Sequence, residues 1–294
     1  MKLDSQTISH DYAQIGDVRL HYAKAGSGDE LVLLLHGFPE FWYSWRQQLE
    51  FLGNRYTVVA PDLRGYNLSG KPTRVEDYKV NRLVGDVVGL IKHFGRERAA
   101  VVGHDWGAIV AWEAALRHPE AVRKLVALQV PPPAAWRENL TLRQLLSSWY
   151  MLFFQLPLLP ELALRYDDYA LLKKTLTQTT GRRRNVFTPE NIAEYKESWR
   201  EPLALESAVN YYRANALNLF VLGQGVNAST NKVSVPTMFV YGERDFAVMR
   251  ETARDVGRFV AAPYREERLA NAGHWVQQEA AAEVNELLGD YLKD

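Results

Sequence analysis

The chain has 294 residues, long for one hydrophobic core but within reach of a single α/β domain that carries an inserted subdomain. Lysine plus arginine and aspartate plus glutamate each number 35, so the formal net charge is zero and nothing favours nucleic acid or an anionic membrane as partner. There is no cysteine, which excludes disulfides, thiolate metal sites and a cysteine nucleophile.

The N-terminal MKLDSQTISHDYAQIG lacks the basic and apolar regions of a signal peptide, so a soluble cytoplasmic protein is expected. VRLHYAKAG (18–26) alternates like an exposed strand. LVLLLHG (31–37), YTVVAPD (56–62), AAVVGHD (99–105), LVALQV (125–130) and PTMFVYGERD (236–245) are short continuous apolar runs. Strands buried on both faces of a parallel sheet read this way. Helical stretches at 41–53, 77–94 and 106–118 separate the strands, and EAAAEVNELLGDYLK (279–293) is an amphipathic terminal helix. The alternation predicts an α/β fold with a mostly parallel, doubly wound sheet. The rhythm breaks after LQVPPP and resumes at VSVPTMFV. Residues 131–233 are therefore expected to form a helical lid, with 1–130 and 234–294 making the core.

Three segments invite other readings. LLSSWYMLFFQLPLLPELAL (145–164) is apolar and long enough to span a bilayer, but Pro157 and Pro160 interrupt it. A buried or partly exposed helix ending near Pro157 is expected, with contact at a membrane surface the remaining possibility and no stable membrane insertion. GRRRN (181–185) reads as a solvated loop. GYNLSGK (65–71) has phosphate-loop spacing, but Pro72 stands where the Mg²⁺-binding Ser or Thr belongs, so nucleotide binding has no support. No histidine pair has metal-ligand spacing, and no cofactor is expected.

The chemistry starts at VVGHDWGA (101–108), a Gly-x-Ser-x-Gly turn with Asp105 at the nucleophile position. The plainer reading of Asp105 is a helix N-cap. Two further segments argue for more. VYGERDFAV (240–248) puts Asp245 just past a buried strand, and NAGHWVQQE (271–279) puts His274 in a glycine-flanked loop before the last helix. The order nucleophile, acid, base is that of Ser…Asp…His hydrolases. HGFPEFWYSW (36–45) follows another strand and offers the Phe38 N–H as one oxyanion donor, with the Trp106 N–H as the other.

A serine attacking saturated carbon would form an ether, which a histidine and water cannot open. A carboxylate forms an ester, and water can then attack the enzyme's own carbonyl. Asp105 therefore selects an epoxide or an alkyl halide over a carboxylic ester. His274, oriented by Asp245, would activate the water.

HGFPEFWYSW, DLRGYNLSGKP, GHDWGA, YGERDF and GHWVQQE together resemble the epoxide hydrolases of the α/β-hydrolase fold, from about residue 14 to the C-terminus. The resemblance implies an insertion after the sixth strand and two lid tyrosines that protonate the opening epoxide. SSWYMLFFQLP supplies Tyr150 and VNYYRAN supplies Tyr212, with Tyr211 the neighbouring alternative. It also implies that Glu40 and His104 help position the hydrolytic water; the plainer readings are a surface glutamate and a bonded core histidine. The implied reactants are a small lipophilic epoxide and water, and the implied assembly is a monomer or homodimer. The elbow is shared with haloalkane dehalogenases, which stand as the alternative. A receptor for lipophilic ligands on the same scaffold is the remaining one.

Overall fold

A computed structural model describes residues 8–183, 186–220 and 232–293. Eight strands form one sheet: β1 Ser9–Ile15, β2 Val18–Ala25, β3 Leu31–Leu35, β4 Thr57–Pro61, β5 Ala99–His104, β6 Val122–Leu128, β7 Thr237–Gly242 and β8 Tyr264–Leu269. Their order across the sheet is β1-β2-β4-β3-β5-β6-β7-β8. β1 pairs with β2, and β2 with β4, antiparallel; every other neighbour is parallel.

Helices α1 Arg46–Leu52, α2 Val80–His93 and α3 Trp106–Arg117 follow β3, β4 and β5. Between β6 and β7 come α4 Pro133–Glu138, α5 Leu142–Ser147, α6 Trp149–Phe153, α7 Leu159–Gln178, α8 Pro189–Arg200 and α9 Ala204–Phe220. The chain closes with α10 Val276–Glu279 and α11 Ala281–Tyr291. Alternate residues of the central strands feed two separate cores. Leu31, Leu33 and Leu35 join α2 and α3 on one face; Val32 and Leu34 join α1 and α11 on the other. That double burial is why these strands read as unbroken apolar runs.

The structure departs from the sequence reading in three places. The strand β1 is unforeseen: at the sheet edge only its Ala13 is buried, so no apolar pattern marks it. The apolar run 145–164 is not one helix. It breaks at Ser148 between α5 and α6, and Leu158, at φ 63°, starts a new direction into α7. Leu146, Trp149 and Leu152 on this run are each more than 60% exposed, at 67%, 62% and 63%. Among the described residues no helix is long and apolar enough to cross a membrane. Finally, β2, expected as an exposed strand, has six of its eight residues buried, because it lies between β1 and β4. Gly181 to Arg183 form a surface loop, as expected, with two ties to the core. The Arg182 N–H donates to the Asn271 carbonyl at 3.0 Å, and Arg183 pairs with Glu283 at 2.6 Å. Arg184 and Asn185 lie outside the described residues.

Candidate active site

Strand β5 ends at His104 and α3 begins at Trp106, so Asp105 alone makes the turn, at φ 51° and ψ −119°. For a residue with a side chain this backbone costs ~1–3 kcal/mol and persists because the packed strand and helix on either side hold it. Asp105 makes no side-chain cap bond to α3, so the N-cap reading does not describe it. Its Oδ1 instead accepts the Phe38 N–H at 2.8 Å. Gly37 permits this approach: a Cβ there would lie 2.3 Å from Asp105 Cβ and Oδ1. Trp106 is the first residue of α3, and its N–H is one of that helix's unpaired first-turn donors.

The loop after β7 carries Asp245, whose carboxylate is fully buried. Its Oδ1 accepts the N–H groups of Ala247 and Val248, at 2.7 and 3.0 Å, which fixes its orientation. His274 Nδ1–H donates to Asp245 Oδ2 at 2.9 Å, leaving Nε2 turned to Asp105 Oδ2 at 3.7 Å. Burial alone would lower the His274 imidazolium. The Asp245 carboxylate, then Asp105 and Glu40, outweigh it and raise the group from 6.5 to about 9. The two Asp105 oxygens are thus distinct: Oδ1 sits on an amide donor and Oδ2 faces the His274 imidazole.

Asp105, Trp106, Tyr150 and Tyr212 line one cavity of about 630 Å³, which continues along α3 through Ile109 and Trp112. The rings of Tyr150 and Tyr212 meet edge-on, with centroids 5.9 Å apart, and Phe154 packs against both. Burial, then the Asp105 charge, pushes the Tyr150 phenol well up; for Tyr212, burial comes first, followed by Tyr150 and Asp105. Both therefore hold their protons at neutral pH. Tyr211 takes another direction: its hydroxyl donates to the Arg64 carbonyl at 2.7 Å. Adjacent residues on a helix point ~100° apart, so α9 can present only one of the pair to the cavity.

Glu40 and His104 sit beneath His274, both fully buried. His104 Nε2–H donates to the His274 carbonyl at 2.8 Å, and its Nδ1 meets Glu40 Oε2 at 2.8 Å. Gln277 and Gln278 also donate to Glu40, the closer contact being Gln278 Nε2 to Oε1 at 2.7 Å. Sequence reading missed these two glutamines. Their residue type carries no signal, and only the short turn of α10 brings them under the site. Among the described residues no cluster of three or more His, Asp or Glu could hold a metal ion.

Residues 30–281 match the family model of the α/β hydrolase fold. The chain is 39% identical over 293 residues to Epoxide hydrolase 3 of Xenopus tropicalis, covering 97% of this chain and 78% of the relative. It is 39% identical over 291 residues to the AB hydrolase superfamily protein YfhM of Bacillus subtilis (strain 168), covering 98% and 99%. Among solved structures it is similar to the Bacillus megaterium epoxide hydrolase in complex with an inhibitor. The TM-score there is 0.87 at 31% identity, covering 97% of this chain and 100% of that one. With Asp105, Asp245 and His274 brought into one site, and relatives matched along nearly the whole length, the chain belongs to the epoxide hydrolases of the α/β-hydrolase fold.

Proposed function

We propose that the chain hydrolyses epoxides to vicinal diols through an ester on Asp105, with residues 131–233 as the lid over a core of 1–130 and 234–294. One observation carries this reading: a single cavity is lined by Asp105 together with Tyr150 and Tyr212, whose phenols hold their protons at neutral pH. A halide leaving group needs no proton, whereas an epoxide oxygen does, so the tyrosine pair favours the epoxide.

In the first step Asp105 Oδ2 attacks an epoxide carbon, the C–O bond breaks, and the departing oxygen takes a proton from Tyr150 or Tyr212. A positioned donor of this kind contributes ~10²–10⁴-fold. In the second step His274 Nε2 removes a proton from water, and the hydroxide adds to the Asp105 carbonyl carbon. The oxyanion forms on Oδ1, where the Phe38 N–H already stands at 2.8 Å and the Trp106 N–H is the second donor. Collapse of the tetrahedral intermediate breaks its bond to Oδ2, its hydroxyl proton passes to the departing alkoxide, and the diol leaves with the carboxylate restored. The proton taken up by His274 is balanced by reprotonation of the tyrosinate left by the first step. Ester formation removes the Asp105 charge, one of the groups that hold His274 protonated, so the first step converts the base toward its working form. Glu40 and His104 support the loop on which that base stands.

Single-turnover hydrolysis of styrene oxide in ¹⁸O-water tests the route. Water oxygen enters Asp105 and an Asp105 oxygen leaves in the diol, so the label is expected in the Asp105 peptide. Label confined to the first-turnover diol would exclude the ester.

A further inference from the structure

The mechanism leaves one buried carboxylate unused. Glu279 ends α10, is 4% exposed, and has no lysine or arginine partner among the described ion pairs. Its partners are backbone amides. Oε2 accepts the Gly273 N–H at 2.8 Å and the Gly181 N–H at 2.7 Å; Oε1 accepts the Trp275 N–H at 3.0 Å. Gly273 and Trp275 are the residues on either side of His274. Gly181 belongs to the segment between α7 and α8. The carboxylate therefore grips the peptide groups flanking the base and ties them to the helical insertion.

The surrounding contacts lean on this tie. A Cβ on Gly273 would stand 2.7 Å from the Gly181 nitrogen and 3.0 Å from Glu279 Oε1, so the two strands of backbone converge around the carboxylate at glycine spacing. Trp275 Nε1–H donates to Thr179 Oγ1 at 3.1 Å, and the Arg182 N–H to the Asn271 carbonyl at 3.0 Å, closing the junction on both sides. Asp245 fixes the imidazole from its Nδ1 side, while His104 and Gln129 hold the His274 and Gly273 carbonyls at 2.8 and 2.6 Å; Glu279 alone takes the N–H groups on both sides of His274. Two amides one residue before and one after His274 constrain the backbone from which the ring projects.

We propose that Glu279 is a positioning residue for the second half-reaction, holding the His274 backbone so that Nε2 stays aimed at the Asp105 carbonyl carbon. The proposal rests on the two-step reading above. Epoxide opening needs Asp105 and the tyrosines and places no demand on the loop; ester hydrolysis needs the base within hydrogen-bond reach of its water.

Rapid-quench single turnovers with intact-mass detection on the full chain test this. A Glu279→Gln side chain has one acceptor oxygen and turns an NH₂ group toward the amides, so it cannot serve all three. Ester formation on Asp105 is expected to keep its rate. Ester hydrolysis is expected to slow by on the order of 10²-fold, the scale of a small misplacement remote from the chemistry, and alkyl-enzyme accumulates. In the steady state kcat and KM fall together and kcat/KM holds, because kcat/KM reports only steps through ester formation. Glu279→Asp keeps the charge with a shorter reach and serves if the amide variant does not fold; a slower second step with an unchanged first is again expected. Equal slowing of both half-reactions, or a lower melting temperature with neither slowed, overturns the proposal. His274→Gln is the control: an adduct there but none in either Glu279 variant overturns the role of Glu279 alone. No adduct in His274→Gln with an epoxide that the native enzyme turns over overturns the two-step reading itself.

Discussion

Replacing Asp105 by asparagine tests whether nucleophile and base form one electrostatic unit. Burial opposes the charge on His274, yet the carboxylates raise it from 6.5 to about 9. Asp105 Oδ2 lies 3.7 Å from Nε2. A unit charge at that range, in an effective dielectric of ~20, is worth ~4 kcal/mol or ~3 pKa units. The share realised is smaller, because burial opposes it and Asp245, at 2.9 Å, contributes more. The asparagine variant is therefore expected to lower the His274 value by ~1–2 units. Asparagine is isosteric and its Oδ1 still accepts the Phe38 N–H, so the geometry is kept. A ¹⁵N NMR titration of His274 in both proteins reads the shift, with intact mass confirming the amide. Stability follows with a definite sign. A group raised above its unfolded value stabilises the fold fully below 6.5, and loses that contribution as pH rises through about 9. The deficit of the variant is thus greatest below 6.5 and fades above about 9. An unchanged or higher His274 value would refute the coupling, and with it the idea that ester formation releases the base.

The two adjacent tyrosines of α9 separate function from packing. Tyr212→Phe should slow ester formation by ~10²-fold with little change in melting temperature, and Tyr150→Phe likewise, read by pre-steady-state quench. Tyr211→Phe should leave that rate intact and cost about 1 kcal/mol of stability, read by urea unfolding, because it strands the Arg64 carbonyl contact. Gly37→Ala should abolish turnover while the sheet still folds, since the added methyl displaces the Asp105 carboxylate from the Phe38 amide; full activity with native circular dichroism would contradict the close approach.

Most of the sheet was legible because its central strands are buried on both faces, which leaves continuous apolar runs between amphipathic helices. The edge strand β1 left no such trace, because one buried alanine makes no pattern. The run 145–164 misled for the opposite reason. Many of its apolar residues, among them Leu146, Trp149 and Leu152, stay exposed, while Met151, Phe154 and Leu164 are buried, and the run breaks between short helices instead of forming one; hydropathy alone does not tell those apart.

Asp105, Asp245 and His274, the proposed triad, were legible because each lies within five residues of a strand end: β5 ends at His104, β7 at Gly242 and β8 at Leu269. The proposed chemistry was legible in residue type as well: a carboxylate in place of a serine at the elbow suits attack on saturated carbon. What only the tertiary structure decided depends on side-chain direction and on contacts between distant segments. It assigned Tyr212, not Tyr211, to the cavity, gave the two Asp105 oxygens different neighbours, and buried Glu40 with His104 under the base. It also folded Glu279 back onto the amides around His274 and onto Gly181, 98 residues away in the chain. Periodicity records which face of an element is buried, and local spacing records turns. Neither records which backbone amide, from another part of the chain, a buried carboxylate will meet.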